Sequence, residues 1–173
     1  MSKKIMDKDA LGKTLARLAH EVIEKNDNLD EIALVGIRSR GDHIAARIAA
    51  RIEKISGKAI PVGAIDITFY RDDVGLKIAK DAQPTDVKFS IDGKNIILVD
   101  DVLYTGRSTR AAIDALLDLG RPKKIQLLVL IDRGHKQLPI HADYVGKNIP
   151  TSFKEVVEIR LTEQDSEDSI TIT

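Results

Sequence analysis

The chain of 173 residues lacks cysteine, has few aromatic residues and carries no net charge, and each absence narrows its chemistry. Without cysteine, disulfides and cysteine-ligated metal sites are excluded. Because 27 basic residues balance 27 acidic ones, any binding of nucleic acid must come from a local basic patch. Aromatic residues make up 3% and do not cluster, so a platform for stacking single-stranded bases is not expected.

Long apolar segments are also missing. No apolar run approaches the roughly 20 residues that cross a bilayer, and residues 1–7 lack the apolar core of a signal peptide. The four histidines are scattered and lack the close helical pairing of a zinc protease. These absences predict a cytoplasmic protein with no membrane partner, and the length predicts one domain, residues 1–173.

Short apolar runs alternate with amphipathic stretches along the chain. Helices are predicted over residues 9–25, 44–55 and 108–119, and strands over 31–37, 60–70, 95–102, 124–133 and about 155–161. This order predicts an α/β fold, with a mostly parallel twisted sheet flanked by helices. Residues 71–88 are polar and weakly periodic, which indicates a flexible flap. Residues from about 134 to 173, together with the N-terminal segment, are predicted to form a small cap or hood.

The predicted strand over residues 95–102 ends in polar residues that are suited to binding a ligand. Asp100 and Asp101 stand together at its carboxyl end, where ligands of parallel sheets bind. Thr105-Gly106-Arg107-Ser108-Thr109 then opens a helix, whose free amides and dipole favour an anion. Taken alone, the acids are equally compatible with a divalent ion or with solvation, and the turn with a simple N-cap. Their combination indicates a site for a phosphorylated ribose.

This segment resembles a known family signature. Ile97 to Thr109 is similar to the motif of type I phosphoribosyltransferases, which bind 5-phosphoribosyl 1-diphosphate (PRPP). Gly36 to Gly41 has the glycine spacing of a Walker A loop but continues with Asp42-His43, which argues against a nucleoside triphosphatase. The wider resemblance is to PyrR, the bacterial pyrimidine-operon attenuators that are also uracil phosphoribosyltransferases. It is carried by residues 34–41, 66–73, 99–107, 132–135 and 144–152.

The resemblance implies that uracil and PRPP give UMP and diphosphate. It assigns catalytic roles to Arg40, Asp100, Asp101 and Arg71. The implied substrate-binding residues are Ser39, Arg40, Asp100, Asp101, Val102, Leu103, Tyr104, Thr105, Gly106, Arg107, Ser108, Thr109, Arg133 and Val157. Mg²⁺ would arrive with PRPP and lie near Asp100 and Asp101, and UMP would act as effector.

Two features refine this expectation. Tyr104 stands where purine-specific relatives often carry an aspartate, which favours a pyrimidine acceptor; the alternative is that Tyr104 only packs against the following helix. The flap is shorter than usual in the family, and the basic side chains between Asp73 and Asp92 are Lys77, Lys80 and Lys88, with no arginine. Since lysine lacks the two-pronged grip of arginine on phosphate, weak transferase activity is expected.

The resemblance also implies an RNA partner, the leader of pyrimidine-operon mRNA, with no DNA partner, and a homodimer or homotetramer. The implied RNA-binding residues are Lys13, Arg17, His20, Lys136, His141 and Lys147, with Lys154 nearby. Ala16, Lys136 and His141 stand where some relatives carry threonine or arginine, so weaker contacts are expected. From composition alone, a solvated charged face is the better explanation of these residues, and only the resemblance favours RNA binding. Three functions therefore remain: a bifunctional regulator, a plain salvage enzyme, and a regulator that keeps the fold as a nucleotide sensor.

Overall fold

A computed structural model describes residues 2–72 and 85–173. The strands are β1 (Lys3–Met6), β2 (Ile32–Ile37), β3 (Val62–Ile65), β4 (Asn95–Leu103), β5 (Lys124–Asp132), β6 (Tyr144–Asn148), β7 (Val157–Arg160) and β8 (Ser169–Ile172). The helices are α1 (Lys8–Lys25), α2 (Gly41–Ser56), α3 (Arg107–Leu119) and the single turn α4 (Thr162–Asp165). Short 3₁₀ turns cover Leu29–Glu31 and Thr68–Tyr70.

A five-stranded sheet forms the centre, with order β3-β2-β4-β5-β6 and every pair parallel. All six residues of β2 are buried, as expected of a strand covered on both faces. The apolar stripes of α1 and α2 pack on one face, and that of α3 packs on the other. The predicted α/β class with flanking helices is confirmed.

A second, antiparallel sheet joins the two ends of the chain. Its order is β1-β8-β7, so Ile172 pairs with Lys3 on one side and with Val157 on the other. β1 was not predicted, because a four-residue edge strand with a single fully buried side chain carries no clear alternation. β6 was not predicted either, for the same reason, since only Tyr144 in it is fully buried.

The predicted strand over residues 60–70 is too long. β3 ends at Ile65, and the chain then turns because the Asp66 carboxylate accepts a hydrogen bond from the Thr68 amide at 2.7 Å. The alternation of apolar side chains beyond Ile65 therefore reflects a 3₁₀ turn with Ile67 buried beneath it. This turn places Thr68 and Arg71 above the carboxyl end of the sheet.

Two glycines bring the first polar turn against β4. A Cβ on Gly36 would lie 2.3 Å from the Asp42 Cα, and one on Gly41 would lie 2.3 Å from the Val99 carbonyl oxygen. The turn between them contains a cis peptide between Arg38 and Ser39. The ends of β2 and β4 are thereby held side by side. In the described part of the chain no helix has the length and apolar character needed to span a bilayer.

Candidate active site

The acid pair lies at the carboxyl end of β4, with Asp100 buried and Asp101 half-buried. Each carboxylate accepts a hydrogen bond from the next amide along the chain, Asp100 at 2.9 Å and Asp101 at 2.7 Å. Burial, and then the charge of Asp101, raises the pKa of Asp100 although Arg71 opposes the rise. Burial also raises the pKa of Asp101, which its hydrogen bonds and Arg40 oppose. Such a pair is stabilised in its charged form by hydroxyl donors or a cation.

A cavity of about 480 Å³ opens in front of the acids. It lies where the ends of β2 and β4, the turn after β3 and the start of α3 meet, which is the ligand position expected for such sheets. Its described lining consists of Ile37, Arg38, Ser39, Ile67, Thr68, Arg71, Asp100, Asp101, Val102 and Ser108. Carboxylates and guanidinium groups thus line one space, which suits a ligand bearing both hydroxyls and phosphates.

A second cavity of about 220 Å³ shares Arg71, Val102 and Ser108 with the first. The remainder of its described lining is Leu103, Tyr104, Thr105, Gly106 and Thr109. Gly106, at φ 93°, makes the left-handed turn that starts α3. The first amides of α3 therefore point into a concave loop that suits an anion.

The rim of this loop is tied to residues 71 and 72. Arg71 donates to the Ser108 hydroxyl at 3.0 Å, and Arg107 pairs with Asp72 at 2.7 Å. The predicted flap continues through residues 73–84, including Lys77 and Lys80, which lie outside the described residues. Lys88, at its far end, is exposed and lies 3.7 Å from Asp86.

Tyr104 lies in a stack of planar side chains. The Arg133 guanidinium lies 4.1 Å from the centre of the Tyr104 ring, and His135 meets that ring edge-on at 6.0 Å. Phe153 in turn packs on His135 at 4.0 Å. Arg133 is held by the carbonyls of Ser152 (3.0 Å) and Glu155 (2.8 Å). Tyr104 therefore contacts residues that directly follow β5. The alternative that Tyr104 only packs against the following helix does not account for these contacts.

Four predicted residues lie outside the described lining of both cavities: Arg40, Arg107, Arg133 and Val157. Arg107 and Arg133 still contact the rim and Tyr104, as described above. The guanidinium of Arg40 is bound to Asp165 of α4 at 2.9 and 3.1 Å, and Arg40 lies outside the described lining of both cavities. Val157 starts β7, packs on the core and is likewise outside both linings. Conversely, Arg38 and Thr68 line the larger cavity although the sequence did not single them out. The signal for Arg38 was its place beside Ser39 in the same polar turn.

Comparison with known proteins decides the family. The model of the phosphoribosyl transferase domain family matches residues 1–164. "Bifunctional protein PyrR" of Pelotomaculum thermopropionicum is 56% identical over 169 residues, which cover 97% of this chain and 93% of that one. The chain belongs to the PyrR family of phosphoribosyltransferases. "Bifunctional protein PyrR" of Halalkalibacterium halodurans is 53% identical over 175 residues, covering 99% and 97%.

Solved structures share the fold of this PyrR family member. A hypoxanthine-guanine phosphoribosyltransferase from Bacillus anthracis superposes with a TM-score of 0.74 at 18% identity, covering 99% of this chain and 98% of its own. A Trypanosoma cruzi hypoxanthine phosphoribosyl transferase gives the same TM-score and identity, covering 98% and 90%. At this identity the likeness establishes the architecture and leaves the choice of base to the site itself.

The acid pair also tests whether a magnesium ion fits this PyrR family site. Among the described residues, no three or more histidine, aspartate or glutamate side chains converge as a metal-binding cluster. Asp100 and Asp101 supply two carboxylates beside an open cavity. That donor set fits Mg²⁺, which usually keeps waters and takes other oxygens from a phosphorylated ligand.

Several of the RNA-binding residues predicted by the PyrR resemblance lie close to the edge strand β6. Arg17 of α1 donates to the carbonyls of Val145 and Gly146 in β6, so it lies beside Lys147. Lys136 pairs with Asp132 at 3.1 Å, next to the same edge strand.

The remaining RNA-binding candidates lie around these. Lys13 and His20 are exposed on α1, and Lys13 lines a cavity of about 520 Å³ with Lys8 and Arg51. His141 lies on the opposite, α3 side of the sheet, where it lines a pocket with Ile113 and Ile125. The structure therefore gathers the candidates on α1 and β6 and separates His141 from them.

Proposed function

We propose that this protein transfers the phosphoribosyl group of PRPP to uracil and, when UMP is bound, binds the leader RNA of pyrimidine-biosynthesis genes. The observation that carries the enzymatic part is that the acid pair and the anion-binding loop of α3 line two adjoining cavities. The regulatory part is supported by the name "Bifunctional protein PyrR" of relatives more than half identical to this chain.

The reaction breaks the bond between C1 of the ribose and the diphosphate oxygen, which leaves with the electron pair. Uracil N1 forms the new bond to C1 and gives up its proton. Because positive charge develops on the ribose, a residue assists mainly by holding the groups in place and stabilising charge. The amides of residues 105–109 hold the 5-phosphate, and Asp100 and Asp101 hold the ribose hydroxyls. Magnesium bound with PRPP would neutralise diphosphate charge beside this pair.

The diphosphate lies on the other side of the larger cavity. The turn of Arg38 and Ser39 lines that side, and Arg71 lines both cavities. Guanidinium groups bind phosphate oxygens with two parallel hydrogen bonds. Arg71 lies between the cavity for the diphosphate and the loop for the 5-phosphate, so it can contact PRPP there. Arg40 acts from outside the lining, where its charge favours the ionised form of Asp101.

The base site lies beside the planar stack of Tyr104, Arg133 and His135. A flat pyrimidine fits against a tyrosine ring, and the fixed Arg133 guanidinium offers donors to a uracil carbonyl. Val157, which the resemblance places near the base, starts β7 and pairs with Ile172. UMP occupies the same site as product and as regulatory effector.

We also infer that residues 1–173 form one domain, in which residues 134–173 and the N-terminal segment make the hood. The pairing of β1 with β8 supports this inference because it ties the two termini together. We further infer a homodimer or homotetramer in the cytoplasm, with no DNA partner.

The enzymatic part is tested by measuring UMP formation from uracil, PRPP and Mg²⁺. We expect Asp101→Asn and Thr105→Ala each to lower kcat/KM by at least about 100-fold, because each removes a contact to PRPP. Asp114→Asn on the exposed face of α3 is the matched control and should retain full activity. Unchanged activity in Asp101→Asn would refute this site.

The regulatory part is tested by filter binding of a pyrimidine-operon leader RNA with and without UMP. Lys13→Ala and Lys147→Ala should each weaken binding and reduce the salt dependence by about one phosphate contact. Lys124→Ala, at the amino end of β5, is the matched control. If the unaltered protein does not bind this RNA at low salt, the protein is a salvage enzyme or a nucleotide sensor.

A further inference from the structure

The Arg40–Asp165 ion pair connects the turn after β2 with the C-terminal sheet. One nitrogen of Arg40 contacts both carboxylate oxygens of Asp165, at 2.9 and 3.1 Å. The two side chains are only 27% and 22% exposed. Because most of each side chain is covered by protein, the contact constrains both side chains more than a fully exposed salt bridge would.

Asp165 is itself rigidly held. One of its carboxylate oxygens accepts a hydrogen bond from the Leu161 amide at 2.9 Å, and its own amide donates to the Leu161 carbonyl at 2.7 Å. Leu161 is fully buried in the core. The Leu161 amide, and then Arg40, lower the pKa of Asp165, so the carboxylate is charged at neutral pH. The carboxylate is thus a fixed anchor at the end of α4.

At the other end, Arg40 occupies a costly backbone conformation. Its φ of 75° is one that residues other than glycine rarely adopt. Arg40 follows Ser39 directly, and its carbonyl accepts the first hydrogen bond of α2 from Ile44 at 3.0 Å. Fixing the Arg40 side chain on Asp165 therefore constrains the turn that begins at Arg38.

We propose that Asp165 is a positioning residue for the diphosphate site: through Arg40, it holds the Arg38–Ser39 turn in the shape that lines the larger cavity. The inference rests on the proposed use of PRPP. It also reassigns Arg40, which holds the turn from behind through Asp165 and does not take diphosphate with its own side chain.

The opposite possibility makes a different prediction. If Asp165 merely kept Arg40 from reaching the diphosphate, removing the Asp165 charge would release the guanidinium and tighten PRPP binding. If Asp165 positions the turn, removing its charge loosens the turn and weakens PRPP binding. The direction of the change in affinity therefore separates the two roles.

The test compares Asp165→Asn with Glu163→Gln, which lies on the same helical turn but pairs with Arg47. For Asp165→Asn we expect the KM for PRPP to rise about 10-fold, while kcat and the KM for uracil change less than about threefold. Glu163→Gln should leave all three constants unchanged. Asp165→Glu, which keeps the charge, should recover part of the loss. Thermal unfolding of each variant shows that it is folded.

Calorimetric binding of diphosphate with Mg²⁺ provides a readout that does not need turnover. If the unaltered protein binds diphosphate but makes no UMP, the proposed reaction fails while the role of Asp165 is still measured. Should Asp165→Asn fail to fold, Arg40→Met, which removes the partner of Asp165, is expected to weaken diphosphate binding. Tighter binding in Asp165→Asn, or equal effects in Asp165→Asn and Glu163→Gln, would overturn the inference.

Discussion

Arg47 of α2 links this helix to the C-terminal sheet through two carboxylates, Glu163 and Asp168. Its guanidinium contacts Asp168 at 2.9 and 3.0 Å, Thr162 at 2.9 Å and the carboxylate of Glu163. Arg47 is 17% exposed and Asp168 9%, so this pair is largely shielded from water. Replacing Arg47 with methionine keeps most of the side-chain volume and removes the charge and the donors.

The size of the effect follows from the pKa of Asp168. Hydrogen bonding to Arg47 is the largest influence that lowers this pKa, from 3.8 to about 2. At about 1.4 kcal/mol per pH unit, that fall corresponds to about 2.5 kcal/mol. Thr162 supplies part of it, and Glu163, whose pKa is also lowered by Arg47, adds a contribution reduced by its greater exposure. We therefore expect Arg47→Met to lower the free energy of unfolding at pH 7 by about 2 kcal/mol.

The assay is urea unfolding followed by circular dichroism, at fixed protein concentration, from pH 7 down to pH 3. A carboxylate whose pKa is depressed in the folded state contributes fully above its unfolded pKa of about 3.9 and loses that contribution as the pH falls through its folded pKa. The difference between the unaltered protein and Arg47→Met should thus be constant from pH 7 to about pH 5 and shrink below about pH 4.

The neighbouring Arg51 provides the control. It lies one turn further along α2, donates to the Arg47 carbonyl at 3.2 Å, and pairs with no carboxylate of the described residues. Burial and the charge of Arg47 lower the pKa of Arg51, so Arg51→Met should change the free energy of unfolding by less than about 0.5 kcal/mol at pH 7. A pH-independent loss in Arg47→Met, or an equal loss in Arg51→Met, would show that packing and not charge stabilises this junction.

Three further predictions concern the acid pair and the turn that faces it. Asp100→Asn should abolish UMP formation yet raise the free energy of unfolding at pH 7, because burial disfavours the charge; a destabilised variant in urea unfolding would contradict this. Because the pKa of both acids is raised, the KM for PRPP should begin to climb, as the pH is lowered, at a higher pH than the titration of an exposed aspartate would give; a KM that rises only in the range of an exposed aspartate would argue against it. Gly41→Ala, whose Cβ would lie 2.3 Å from the Val99 oxygen, should abolish diphosphate binding in calorimetry and cost about 2 kcal/mol, whereas Gly12→Ala, with nothing within 4 Å, should be neutral or stabilising.

Much of the central sheet could be predicted because burial and local pattern coincide there. β2, β4 and β5 are apolar runs buried on both faces, and α1 to α3 carry regular apolar stripes. β1 and β6 were missed because each is an edge strand with a single fully buried side chain, and its pairing partner lies elsewhere in the chain. Such strands form because of the strands they pair with, and the periodicity of the sequence does not show which segments pair.

By itself the sequence determined the local chemistry of this PyrR family member: an acid pair ending a buried strand, a Gly106 turn opening a helix, and a tyrosine between them. These features depend on residues that are close together in the chain, so the order of residues in the sequence shows them directly. Only the tertiary structure shows which cations share a cavity with the acids. Arg38 and Arg71 line that cavity, whereas the Arg40 guanidinium pairs with Asp165. It also placed His141 across the sheet from Arg17. The physical reason is that a side chain's partner is set by the packing of strands and helices distant in sequence, and Arg40 and Asp165 are 125 residues apart.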